Sequence, residues 1–276
     1  MTLAEALRAA AERLAARGVP DPQVDAEWLF AKALGCSRAE LALARGRELT
    51  PEEDEEAAAL VVRRAAREPL AYVLGEWGFR RLTLRTDPRA LVPRPETEVL
   101  VERCLELLAG QAAPLVLDVG VGSGAIALAL ADEHPGARVH GVDVSADALT
   151  LADENARRTG LADRVVFELG EAATLPPGPF DLVVSNPPYV EPGEVESLEP
   201  EVRDWEPRAA LVGPDTTEAV VSGAWHRLRP GGFLVLETHA SAARDVAELL
   251  RAQGYEGRRI TLDLAGRERV VEGTRT

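Results

Sequence analysis

Four residues, Asn186-Pro187-Pro188-Tyr189, close the apolar run "FDLVVS" and carry the densest chemistry in the chain. The residue before a proline is pushed out of the helical region, so Asn186 is held extended where the run stops. Asn-Pro is also an ordinary way to leave a buried strand, because proline removes a ladder donor. The chemical reading goes further. The side-chain oxygen of Asn186 and the backbone carbonyl of Pro187 can accept the two hydrogens of an –NH2 group, and Tyr189 can pack on its flat face. That grip suits group transfer onto a planar nitrogen, a poor nucleophile because its lone pair is delocalised. Holding it in line lowers the barrier through orientation alone.

A second cluster lies upstream in "LDVGVGSGAIALAL". Gly120, Gly122 and Gly124, with Val121 and Ser123 between them, let backbone approach a ligand at a helix N-terminus. A tight turn that binds nothing has the same composition. The spacing also satisfies a dinucleotide fingerprint if Ala125 is the third small residue, which keeps a nicotinamide enzyme in view. Asp118, two residues before the first glycine, can brace the loop or approach a cationic ligand. Asp143 can accept both hydroxyls of a ribose, or cap the helix that follows it. Asn-Pro-Pro-Tyr separates the cofactors: hydride transfer has no use for it, whereas a sulfonium methyl donor does. Such a donor brings its own leaving group, so neither a metal nor a strong general base is required.

These clusters need a sheet whose carboxyl ends converge. From Glu96 the chain alternates helix and strand: "ETEVLVERCLELL", "PLVLDV", "SGAIALALADE", "ARVHGVDV", "SADALTLADENARR", "RVVFEL", "FDLVVS". That alternation predicts a mostly parallel sheet. "GGFLVLET" is a further strand, "ASAARDVAELLRAQG" a helix, and "RRITLDLAGRERVVEG" a hairpin around Ala-Gly that makes the last strand antiparallel. Residues 76 to 86, "EWGFRRLTLRT", shift toward a period of two and mark a junction. Before it, strand signals are absent. Thr2 with Glu5, Ser37 with Glu40, and Thr50 with Glu53 have capping-box spacing. Pro22 and Pro51 stand at first helical positions, Gly18 and Gly35 at helix ends, and the acidic run "PEEDEEAAAL" suits a solvated first turn. Arg94 and Glu96 either line the cofactor side of the cleft or belong to the helix start at Pro95.

A length of 276 residues with 46% hydrophobic content accommodates one large and one small domain. The balance of 31 basic and 46 acidic residues, net −15, argues against direct nucleic-acid binding. Neither a bilayer-length apolar run nor an export-type head is present, so a cytoplasmic protein without membrane contact is expected. Cys36 and Cys104 lack ligand spacing and are expected as small core residues; the four histidines are scattered, and no metal site is expected.

Taken with "DAEWLFAKALG", "PLAYVLGEWGF", "LVPRPETEVLVE", "VRDWEPRAAL" and "DLAGRERVV", the two clusters give nearly the whole chain a resemblance to the release-factor glutamine methyltransferases. The resemblance implies an α/β fold, with a seven-stranded Rossmann-like S-adenosylmethionine-dependent methyltransferase domain over residues 95–276. It also implies a small all-α substrate-recognition domain over 1–70 and a β-hairpin linker over 71–94. By position it assigns Gly120, Val121, Gly122, Ser123, Gly124, Asp143, Glu171 and Asn186 to S-adenosylmethionine. Asn186, Pro187, Pro188 and Tyr189 are assigned to the glutamine amide of the Gly-Gly-Gln loop of class-I peptide release factors. The sequence departs from the family's pattern at three places. "LGEAATL" has the acid Glu171 without the usual following aromatic, "VGPDTTEAV" lacks the usual Asp-Gly, and Thr238-His239 replaces Ile-Gly although Glu237 is kept. Asn-Pro-Pro-Tyr is shared with enzymes that methylate amino groups of adenine or guanine in DNA or RNA, which remain the alternative. A protein that binds S-adenosylmethionine without catalysis is a further one, and a complete Asn-Pro-Pro-Tyr argues against it.

Overall fold

A computed structural model describes residues 1–213 and 215–276; Pro214, within the divergent "VGPDTTEAV", lies outside the described residues. The chain forms two compact units, residues 1–76 with 198–205, and residues 77–197 with 206–276.

The first unit is helical: α1 (Leu3–Ala15), α2 (Pro22–Ala33), α3 (Arg38–Leu43), α4 (Pro51–Ala65), α5 (Leu70–Leu74) and the later α9 (Pro200–Arg203). All three capping boxes form, at Thr2, Ser37 and Thr50, each satisfying helix-start donors reciprocally. Gly18 and Gly35 take positive φ of 72° and 61° just beyond α1 and α2, where a side chain would be strained. Leu3, Leu7, Leu14, Leu29, Phe30, Leu41 and Val61 bury their side chains. Cys36 is only half-buried, because it follows the end of α2 instead of facing this core.

In the second unit, the hairpin of β1 (Glu76–Phe79) and β2 (Leu82–Arg85) precedes α6 (Pro95–Leu108). Then come β3 (Leu115–Val119), α7 (Ala125–Glu133), β4 (Arg138–Asp143), α8 (Ala146–Thr159), β5 (Val165–Leu169) and β6 (Phe180–Ser185). The chain continues through α10 (Arg208–Leu211), α11 (Thr216–Arg227), β7 (Leu228–Glu237), α12 (Ala243–Gln253), β8 (Glu256–Leu262) and β9 (Glu268–Thr274). The seven-stranded sheet has the order β5-β4-β3-β6-β7-β9-β8. Its first five strands are parallel, and β9 enters antiparallel between β7 and β8. Period-two alternation divides the apolar residues between two faces. Val116, Leu182, Val184, Val235 and Val270 pack with Leu100, Cys104, Leu108, Ile126 and Leu130 of α6 and α7. Leu117, Val183, Leu234, Leu236 and Val271 pack with Val220, Val221, Val246 and Leu250 of α11 and α12. Because β3 pairs with β4 on one side and β6 on the other, the strand order reverses there, and a crevice opens at their carboxyl ends.

Among the described residues, no helix is long and apolar enough to cross a membrane, and no cluster of three His, Cys, Asp or Glu could hold a metal ion.

Candidate active site

The crevice is walled by both sequence clusters. Gly120 to Ser123 follow β3, and Asn186 to Pro188 follow β6. Gly120, Gly122 and Gly124 all adopt positive φ, at 81°, 55° and 85°. A Cβ on Gly120 would stand 3.9 Å from the Asn186 carbonyl, so the two loops are next to each other. One on Gly124 would come within 3.3 Å of Ala152 on α8, so the third glycine serves helix packing. Three ties hold the loop. Val142 O accepts the Gly120 and Val121 N–H groups at 2.8 and 3.1 Å, Asp143 Oδ2 accepts that of Gly122 at 2.8 Å, and the buried Asn155 donates to Ser123 O at 2.9 Å.

Asp143 ends β4 at the rim of the crevice, its other oxygen taking the Ser145 N–H at 2.9 Å. The helix-cap alternative falls to Ser145, whose hydroxyl accepts from Ala148 N at 3.2 Å. Asp118 is fully buried behind the loop, and its Oδ2 takes the Ala127 N–H at 3.1 Å. Burial pushes its carboxyl up to about 7, against the pull of the Ala127 N–H, and Asp143 adds to the rise. It braces the start of α7 and does not reach the crevice. Gly170 and Ala172 line the wall, whereas Glu171 between them is exposed.

Asn186 is half-buried, with Nδ2 3.4 Å from Thr97 Oγ1 on α6. Pro187 and Pro188 line the crevice with it. The ring centroid of Tyr189 lies 6.2 Å from that of His239, tilted by 42°. Burial raises its hydroxyl above the ordinary tyrosine range, with Glu237 adding and Arg269 opposing. Arg94 lines the crevice and reaches Glu206 with Nη2 at 2.7 and 2.6 Å from the two carboxylate oxygens. Glu96 instead approaches Arg267, at 4.0 Å.

Comparison with known proteins fits this geometry. The family described as PrmC N-terminal domain matches residues 5–75, and the family described as Methyltransferase domain matches 113–256. A release factor glutamine methyltransferase of Deinococcus radiodurans is 43% identical over 281 residues, covering 100% of this chain and 99% of its own. Another, of Rhodospirillum rubrum, is 40% identical over 275 residues, covering 98% and 84%. The chain belongs to the release factor glutamine methyltransferase family. At the level of fold alone, it is similar to a ribosomal protein L11 methylase from Lactobacillus delbrueckii, with a TM-score of 0.50 and 19% identity over 68% of this chain and 81% of that one.

In this member of the family, several wall residues gave no chemical signal in sequence. Thr97, the strap from Arg89 to Val92, and Pro207, Ala209 and Ala210 have no reactive groups of their own; several fall in stretches that carry the family resemblance, but their place at the crevice comes from the fold. Glu206, 6% exposed, pairs with Arg94 and also takes the Val92 N–H at 3.3 Å. Gly141 carried a faint signal, since glycine inside a strand often marks a close approach. A Cβ there would overlap Val121 Cγ2 and stand 2.8 Å from Phe167 Cδ1. Gly141→Ala should therefore displace the glycine loop. The expected result is about 1–3 kcal/mol of lost stability from overpacking and at least about tenfold weaker S-adenosylmethionine binding, read by titration calorimetry. Unchanged affinity would show that Val121 can move without disturbing the loop.

Proposed function

We propose that this chain transfers a methyl group from S-adenosylmethionine to the side-chain amide nitrogen of the glutamine in the Gly-Gly-Gln loop of class-I peptide release factors. The observation that carries the reading is that Asn186 and Pro187, which offer a side-chain and a backbone acceptor, line the crevice beside the glycine loop in a chain related end to end to release factor glutamine methyltransferases.

The residues present fit the cofactor. Asp143 uses one position on each carboxylate oxygen for backbone N–H groups, leaving acceptor capacity on both for ribose hydroxyls. Val121, Ile126, Val142, Ala148 and Ala172 form apolar wall suited to an adenine ring. Gly120 to Gly124 give the backbone close approach. Glu171, exposed beside this wall, is assigned to the cofactor only through the family pattern. When bound, S-adenosylmethionine supplies an electrophilic methyl group on a sulfonium and a neutral leaving group.

The protein's part is to hold the amide. Asn186 Oδ1 and Pro187 O accept its two hydrogens, which turns the nitrogen lone pair along the transfer direction. Pro188 stiffens the loop and excludes water from that side. Tyr189, its ring set against His239, supports the loop that carries this grip and is assigned to the flat face of the amide through the family pattern. The helical first unit is assigned to recognition of the protein substrate. The strongly acidic chain disfavours the alternative of adenine or guanine in nucleic acid as substrate.

Labelled S-adenosylmethionine tests the reading against a purified class-I release factor, its Gly-Gly-Gln variant with Ala for Gln, and duplex DNA. Label on the intact factor alone is expected. Label on DNA, or equal label on the Ala variant, would overturn it.

A further inference from the structure

Glu237, the last residue of β7, is a buried acid beside the crevice with no role so far. β6 and β7 run parallel with Ser185 opposite Leu236, so the next pair along, Asn186 and Glu237, stand side by side at the carboxyl ends of adjacent strands. Glu237 is 1% exposed, and neither carboxylate oxygen accepts a hydrogen bond of good geometry. Leaving such a group unsatisfied is costly, so a buried carboxylate here calls for an explanation. Thr97 and Asn186 are its neighbours, and they line the crevice while Glu237 lies behind them. The Asn186 Nδ2 to Thr97 Oγ1 bond, at 3.4 Å, is too long to fix the amide unaided.

The other charged or titratable groups facing Glu237 are Glu96 on α6, Tyr189 after β6 and Arg269 on β9. Arg269 is committed elsewhere, donating to Thr238 O at 3.1 Å and pairing with Asp263 at 3.5 Å. The Thr97 hydroxyl and the Asn186 amide are thus the polar groups left to Glu237, and of the two only the amide changes from acceptor to donor toward the crevice when it turns over.

We propose that Glu237 is the positioning residue that decides which way the Asn186 amide faces. Ionised, it draws Asn186 Nδ2 toward itself and Thr97, leaving Oδ1 turned to the crevice as an acceptor. Protonated, its O–H donates to Oδ1 and turns the amide over, so that an –NH2 group meets an –NH2 group and the grip is lost. The inference rests on the amide-nitrogen reading of the site. Burial pushes the Glu237 carboxyl up to about 7, against the pull of the Thr97 hydroxyl, Arg269 and the Asn186 amide, while Glu96 adds to the rise. Its ionisation therefore falls within the neutral range, and the competent form lies on the alkaline side.

Two readouts on the full chain test this. With S-adenosylmethionine and release factor saturating, the single-turnover rate should rise through a midpoint near 7. Glu237→Gln, which cannot ionise, should lower kcat on the alkaline plateau by on the order of 10- to 100-fold and abolish that midpoint, with cofactor affinity unchanged. The Asn186 side-chain amide resonance should titrate with the same midpoint in the unsubstituted chain and stay flat in the variant. A merely structural role would not couple the two. An Asn186 resonance that does not move across neutral pH overturns the proposal, needs no variant to fold, and does so whatever the assay shows. A variant with unchanged kcat and the same acid limb also overturns it. A titrating resonance without methylation of any release factor instead overturns the substrate reading alone.

Discussion

Asn186→Ala is expected to slow methyl transfer by on the order of 100-fold, about 2.7 kcal/mol of lost transition-state stabilisation, while S-adenosylmethionine affinity changes little. The asymmetry follows from which atoms are removed. The backbone carbonyl of Asn186, the atom facing Gly120, is kept by alanine, so the cofactor side of the crevice retains its wall. The neighbouring tie of Ser185 Oγ to Val119 O at 2.6 Å also survives and holds the end of β6 against β3. Only the side-chain acceptor disappears, leaving Pro187 O to hold one hydrogen of the –NH2 group while the other swings free. With the release factor saturating, the loss should appear in kcat, because the acceptors differ in value between a free amide and one held in line for transfer. Equal loss in cofactor affinity would mean that Asn186 serves chiefly the cofactor. Normal turnover would end the orientation mechanism.

The parts of this site that could be read in advance are those encoded in backbone chemistry. Gly120, Gly122 and Gly124 announce themselves because three positive φ values within five residues tolerate little else. Asn186 does so because two prolines leave it one conformational region. The capping boxes are equally local, each residue pair meeting within one helical turn. What escaped depends on crossovers. Glu237 lies beside Asn186 only because β7 pairs with β6 in a particular register, a fact distributed over residues 180–237. Thr97 enters through the placing of α6. α11 carries little helical signal because its apolar positions Val220, Val221 and Ala224 sit among Thr, Ser and Gly with little periodic contrast. Tyr189 shows the same limit: its type suggests stacking on a flat group, and its ring contact with His239 is set by packing around the end of β6. Cys36 and Cys104 have identical chemistry and opposite outcomes, the second fully buried on α6 and the first only half-buried after α2.

The first unit supplies the second large expected effect. Residues 198–205, far along the chain, complete it and bring Glu201 on α9 to its arginines. Arg64 on α4, 4% exposed, donates from Nε to Asp25 at 2.6 Å and from Nη1 to Glu201 at 2.8 Å, and Arg67 adds a bond to Glu201 at 2.5 Å. Burial pushes Asp25 up despite Arg64. It pushes Glu201 the same way, but there Arg67 and Arg64 prevail and hold the carboxyl below the ordinary range. Arg64→Met keeps the packing volume and removes the charge, leaving Asp25 without its cation and Glu201 with half of its own. Breaking such a buried cluster costs about 3 kcal/mol, more than a well-packed apolar replacement of all its members would. Faster hydrogen exchange in α2 and α4, with the sheet of the second unit still protected, is the expected signature. The sign with pH is fixed by linkage. In the variant, both acids bind protons more readily folded than before, so its deficit should be largest near neutral pH and shrink as pH falls through the carboxylate range. If the first unit recognises the protein substrate, KM for the release factor rises in the variant while S-adenosylmethionine binding is retained. A deficit that grew toward acid pH would show that the two acids are not the groups left uncompensated. An unchanged KM with α2 and α4 opened would remove the first unit from substrate recognition.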